Sequence, residues 1–271
     1  MPTLGTLFGR FPKHTRKPPL LLINGLAEQA ETWFRNLPAW RRHFEIHMPS
    51  VMAFEGDAFH ERIARGEPIS IDFLVEQFHV YLHNFVQTPP YFVAGSSTGG
   101  KIAVELALRY PNEVSRVVLF GPSGLSDKER LPVVQGVRRS DALAMVDSVF
   151  FDRRKADRGL LRYYKECMAR RRWKIGFLKA VRGTLDFSIR EKLSQLRQPT
   201  LLLMGREDRI VDPVQARDAA LKAKGVRYVE IPRCGHAPHQ EKPGYVNRSV
   251  IRFLKEGVRA AHPSRPVAVR A

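Results

Sequence analysis

Short apolar runs along the chain alternate with helical patterns. "PPLLLING" (18–25), "FEIHMPS" (44–50), "YFVAG" (91–95), "VSRVVLFGP" (114–122), "PTLLLMG" (199–205) and "VRYVEIP" (226–232) predict strands. The continuous apolarity of runs such as "PPLLLING" implies buried strands. Between them, Leu74, Phe78, Tyr81, Leu82 and Phe85 recur at helical intervals and predict a helix over 71–86. A second helix is predicted over 101–110, stopped by Pro111, and a final one over 243–261. Strand–helix alternation predicts an α/β fold: a mostly parallel central sheet flanked by helices on both faces. The interval 123–198 breaks the rhythm, with helical patterns and no strong strand. The chain is therefore expected to divide into a core domain, residues 1–124 and 191–271, and a helical lid insert, 125–190. The insert is expected over the C-terminal edge of the strands, where open α/β sheets bind ligands.

Length and composition narrow the class. With 271 residues and 44% hydrophobic content the chain can bury one large core. No apolar run reaches the roughly 18 residues of a membrane-spanning helix, and "MPTLGTLFGRFPKHTRKPP" lacks the apolar stretch of a secretory signal. A cytoplasmic location is the expectation. Two cysteines make neither a disulfide framework nor a metal motif. Cys167 is read as a core filler and Cys234 as packing. No metal or organic cofactor is expected.

Chemistry enters at "GSSTGG". Gly95, Ser97 and Gly99 fit G-x-S-x-G between a strand and a helix, a pattern that sets a serine on a sharp, strained turn. In the frame of Ser96 the flanking residues would be Ala94 and Thr98, so Ser97 is the candidate nucleophile. A serine hydroxyl needs a base, and the base an orienting acid. "LLLMGREDRIVDP" offers Asp208, with Glu207 and Asp212 beside it; "EIPRCGHAPHQEKP" offers His236, with His239 as competitor.

The stretches "NGLAEQAETW", "GSSTGG", "GREDRIVDP" and "CGHAPHQEKP", taken in order, resemble the α/β-hydrolase fold superfamily over nearly the full length of the chain. The resemblance implies a nucleophile–acid–histidine order of Ser97, Asp208, His236. Asp208 stands three residues after Gly205, as that pattern has it, and Gly235-His236 matches its histidine loop. His239 falls where a residue behind the site or on the surface would lie. The resemblance further implies an oxyanion hole of two backbone N–H groups, those of Thr98 and Leu26. Two departures stand out. Asn24 replaces the usual histidine before Gly25, which bears on the shape of that loop. The N-terminal segment leaves room for at most one short hairpin, around Leu4–Phe8, where the family has two further strands. The tail from His262 reads as loose.

The implied function is serine hydrolysis of a carboxylic ester or related acyl bond, with a small-molecule acyl substrate. Thioesterase, lactonase and C–C bond hydrolase activity on an anionic substrate are the alternatives, and a non-turnover small-molecule binder is the rival from another class. A serine in this position argues against the aspartate-dependent dehalogenases and epoxide hydrolases of similar fold.

The net charge of +18 is concentrated: residues 150–186 hold 12 basic and 4 acidic side chains. Arg153, Arg154, Lys155, Arg170, Arg171, Arg172 and Lys174 read first as a solvated outer face. A second reading is attraction of an anionic substrate. A third is weak contact with an anionic membrane through the basic lid and termini. No recognition motif accompanies the charge, so nucleic acid is not an expected partner. The sequence sets no oligomeric state.

Overall fold

The structure, a computed structural model, describes residues 17–26, 28, 30–51, 54–86, 89–127 and 132–256. The expected hairpin around Leu4–Phe8, the end of the last predicted helix and the tail from His262 lie outside the described residues.

Six strands form one sheet: β1 (Pro19–Ile23), β2 (Glu45–His47), β3 (Tyr91–Ser96), β4 (Val114–Phe120), β5 (Thr200–Gly205) and β6 (Val226–Ile231). Their order is β2-β1-β3-β4-β5-β6, and every adjacent pair is parallel. Successive side chains of a strand point to opposite faces. Leu21 and Ile23 of β1 accordingly join one buried cluster, with Val93, Val117, Leu119, Leu202 and Met204. Leu20 and Leu22 join the other, with Ala94, Val118, Phe120, Leu201 and Leu203. Burial on both faces is why β1, β3, β4 and β5 read as continuous apolar runs.

Helices α1 (Leu37–Trp40), α2 (Asp57–Ala64), α3 (Ile71–Phe85) and α4 (Thr98–Arg109) lie between the first four strands in chain order. Leu74, Phe78 and Leu82 of α3 and Ile102, Ala103 and Leu106 of α4 fill the first face. Ser70 caps α3 by accepting from the Phe73 N–H. Between β4 and β5 come α5 (Pro132–Arg139), α6 (Ala142–Val149), α7 (Arg158–Ala169) and α8 (Arg171–Thr184), and no strand among the described residues. Tyr164, Met168, Trp173, Phe177 and Val181 are buried within the same cluster as α3 and α4. The last helices among the described residues are α9 (Pro213–Lys222), α10 (Pro238–Glu241) and α11 (Pro243–Lys255). Val246, Val250 and Phe253 of α11 cover the second face together with Trp33 and Trp40.

Candidate active site

The pattern G-x-S-x-G has a steric reason visible in the fold. A Cβ on Gly95 would run into the Gly99 carbonyl, and a Cβ on Gly99 into the Ile23 carbonyl. Helix α4 thus packs its first turn directly against β3 and β1. The turn between β3 and α4 is a single residue, Ser97, with φ 51° and ψ −119°. A non-glycine residue held there stores roughly 1–3 kcal/mol, and surrounding bonds must hold it. They do: the Ser97 N–H donates to the Phe120 carbonyl at 3.0 Å, and its carbonyl accepts from Gly100 N–H at 2.9 Å and Ser123 N–H at 3.1 Å. Ser97 is partly exposed, whereas Ser96, still in the strand, is fully buried. Thr98 opens α4, so its N–H is one of the helix's first donors without an intrahelical acceptor.

Asp208 follows β5. Its Oδ1 accepts from Ile210 N–H (2.8 Å) and Val211 N–H (3.0 Å), and its Oδ2 stands 2.8 Å from His236 Nδ1. Both side chains are buried. The neighbouring acids are engaged elsewhere: Glu207 accepts from Cys234 N–H, and Asp212 caps α9 through Val214 and Gln215 N–H. The His236 N–H donates to the Val149 carbonyl at the end of α6, at 2.8 Å. Ser97, Thr98, His236, Gly25 and Leu26 line one cavity of about 60 Å³, walled by Val149, Tyr164, Phe177, Val181, Leu185 and Ile210. The first-strand loop presses on the nucleophile turn, since a Cβ on Gly25 would lie 3.0 Å from Ser97 Cβ. All five residues singled out from the sequence therefore meet at the C-terminal ends of β1, β3, β5 and β6.

Asn24 holds its loop as an amide can, donating from Nδ2 to the Glu28 carbonyl (2.8 Å) and the Gly25 carbonyl (3.1 Å). His239 is fully buried behind the site, with Nε2 3.0 Å from Thr32 Oγ1, and burial pushes its imidazole down to about 3. Burial pushes the Cys234 thiol up, which suits packing rather than nucleophilic chemistry.

Three residues at the site have no sequence pattern that announced them. Lys101, on α4, is buried and donates to the Thr184 and Leu185 carbonyls at the C-terminal end of α8, at 2.8 and 3.2 Å. Glu241 accepts from Gly235, Phe151 and Asp152 N–H, joining the histidine loop to the segment after α6. Glu28 lies against Gly25 and Ser96.

Several of the basic side chains in 150–186 are engaged with neighbours. Arg153 lies near Asp147, Arg154 pairs with Asp152, Arg170 with Glu55 and Arg172 with Asp57, and Lys174 donates to Ser140 Oγ. No group of His, Cys, Asp or Glu among the described residues could hold a metal ion, and no helix there is long and apolar enough to cross a membrane.

The model of the alpha/beta hydrolase fold family matches residues 18–243. Monoacylglycerol lipase ABHD6 of Homo sapiens is 24% identical, over 88% of this chain and 75% of its own. The pimeloyl-[acyl-carrier protein] methyl ester esterase of Nitrosospira multiformis is 25% identical, over 88% of this chain and 95% of its own. Among solved structures, the meta-cleavage product hydrolase CumD of Pseudomonas fluorescens superposes with a TM-score of 0.68 at 21% identity, covering 88% of this chain and 91% of that one. Carboxylesterase CesB of Bacillus subtilis gives 0.67 at 19%, covering 92% and 86%.

Proposed function

Because the chain belongs to the alpha/beta hydrolase fold family, we propose that it is a serine hydrolase cleaving a carboxylic ester through Ser97, His236 and Asp208. One observation carries the reading: a partly exposed serine on a strained turn shares a cavity with an imidazole whose far nitrogen is held 2.8 Å from a buried carboxylate. Ser97 Oγ attacks the carbonyl carbon while His236 Nε2 takes its proton. Asp208 keeps the proton on Nδ1 and stabilises the imidazolium that forms. The N–H groups of Leu26 and Thr98 receive the oxyanion. His236 then returns the proton to the leaving alkoxide, and an acyl group stays on Ser97. A water that gives its proton to His236 releases the acid and restores the enzyme.

The substrate class is supported by the relatives, which include a monoacylglycerol lipase and a methyl ester esterase, and by the apolar walls of the cavity. Helices α6, α7 and α8 contribute Val149, Tyr164, Phe177 and Val181 to those walls. In this reading α5 to α8 act as a lid that shapes the acyl pocket.

Reaction of the pure protein with a fluorophosphonate probe tests the proposal. Wild type and Ser96→Ala are expected to label to full stoichiometry and Ser97→Ala not at all. Labelling that survives in Ser97→Ala, or a wild type inert to the probe and to a panel of short esters, overturns it.

A further inference from the structure

Glu28 is an unusual neighbour for an oxyanion hole. Its carboxyl group is buried one turn of chain from Leu26, whose N–H is to receive negative charge. An acid in that place costs desolvation, and burial raises its carboxyl above the ordinary carboxylate range. The contacts show what it does there. One oxygen accepts from the Gly25 N–H at 2.7 Å, and the other from Ser96 Oγ–H at 3.1 Å. Gly25 belongs to the loop after β1, and Ser96 is the residue before the nucleophile on β3. The carboxylate thus spans the gap between the two oxyanion donors' supports. The loop is closed on itself as well, by Glu28 N–H to the Gly25 carbonyl (3.2 Å) and by Asn24 Nδ2 to the Glu28 carbonyl (2.8 Å). Asn24, Gly25 and Glu28 are therefore tied to one another, and the Glu28 side chain carries that tie to Ser96 on the nucleophile strand.

We propose that Glu28 is a positioning residue that clamps the Gly25–Leu26 backbone against the nucleophile turn, with the buried hydroxyl of Ser96 as its anchor. The inference rests on the serine-hydrolase reading above. It separates the roles of the paired serines, since Ser97 reacts and Ser96 fixes the clamp. Without the carboxylate, the Gly25 N–H loses its acceptor and the Leu26 N–H drifts from the point where the oxyanion forms. Such a change lowers the rate of the chemical step and leaves binding of the reactant nearly as it was.

Saturation kinetics of fluorophosphonate labelling separate the two, as a maximal inactivation rate and a half-saturating concentration. The phosphonyl oxygen occupies the oxyanion position in that reaction. Glu28→Ala is expected to lower the maximal rate about 10- to 100-fold, less than outright loss of an oxyanion donor, with half-saturation within about threefold of wild type. Glu28→Gln keeps an acceptor for Gly25 N–H and a polar contact for Ser96, and is expected to restore most of the rate. Ser96→Ala, which removes one hydroxyl and leaves the packing in place, is expected to slow the maximal rate about severalfold, as loss of one buried hydrogen bond does. A wild type that labels while Glu28→Ala labels equally fast overturns the clamp alone. A Glu28→Gln as slow as Glu28→Ala also overturns it, because charge and not the tie would then matter. A wild type that never labels overturns the hydrolase reading and the clamp's role with it.

Discussion

Asp208 divides its two oxygens between backbone and imidazole. Oδ1 accepts from the N–H groups of Ile210 and Val211, and Oδ2 meets His236 Nδ1 at 2.8 Å. The first pair of bonds fixes the carboxylate plane, so the second oxygen can only point at the imidazole. Asp208→Asn should keep Oδ1 on the two N–H groups and turn its NH₂ toward Nδ1. That arrangement stabilises the tautomer with the proton on Nε2, which cannot accept from Ser97. Turnover of a good ester is expected to fall about 10⁴-fold with the fold intact. Circular dichroism and steady-state kinetics on the same preparation check it; a loss under about tenfold would dissociate Asp208 from the reaction.

The cavity is small, about 60 Å³, and its walls include Val149, Tyr164, Phe177, Val181, Leu185 and Ile210. Among p-nitrophenyl esters, acetate and butyrate should be turned over in preference to octanoate. Phe177, from α8, forms part of the wall. Phe177→Ala should shift the preference toward longer chains at a stability cost of about 3–5 kcal/mol. A chain-length profile unmoved by this substitution would place the acyl group elsewhere.

Gly99→Ala drives a methyl group into the Ile23 carbonyl where α4 meets β1. Backbone cannot yield there as a flexible side chain would. The variant should lose about 3 kcal/mol or more of unfolding free energy, an overpacking cost, and should no longer label with the probe. Urea denaturation reads the first effect and labelling the second.

His239 sits among Thr32, Gln240, Trp33 and Phe120, with the Glu28 carboxyl 3.8 Å away. Burial holds its imidazole neutral down to about pH 3, against an ordinary value of 6.5. The unfolded chain takes up a proton below pH 6.5 that the folded chain refuses, so this group lowers stability as pH falls through that window. Glu28 and Glu241 act in the opposite sense: burial raises both carboxyls, so their contribution is greatest at low pH and is lost as pH rises through the raised values. Between about pH 7 and pH 5, wild type should lose about 2 kcal/mol through His239 that His239→Gln does not lose. Urea unfolding at the two pH values measures the difference.

The strands, the principal helices and the candidate residues Ser97, Asp208 and His236 were legible along the chain because each has a local cause. Burial on both faces makes β1, β3, β4 and β5 continuous apolar runs. The crowding of Gly95 and Gly99 leaves its trace in a five-residue pattern. Asp208 and His236 each follow a strand end within a few residues. The short helices α1 and α10, and α2 and α9, escaped because their apolar stripes are too brief to show a period. What only the tertiary structure decided joins residues far apart in sequence. Ser96 meets Glu28 across 68 positions, and Lys101 meets Thr184 across 83. His239 proved to be buried behind the site because Trp33 and Phe120 close over it. Local patterning follows from the geometry of a strand or a helix, whereas these contacts depend on which elements the sheet order makes neighbours. No periodicity in the chain encodes that order.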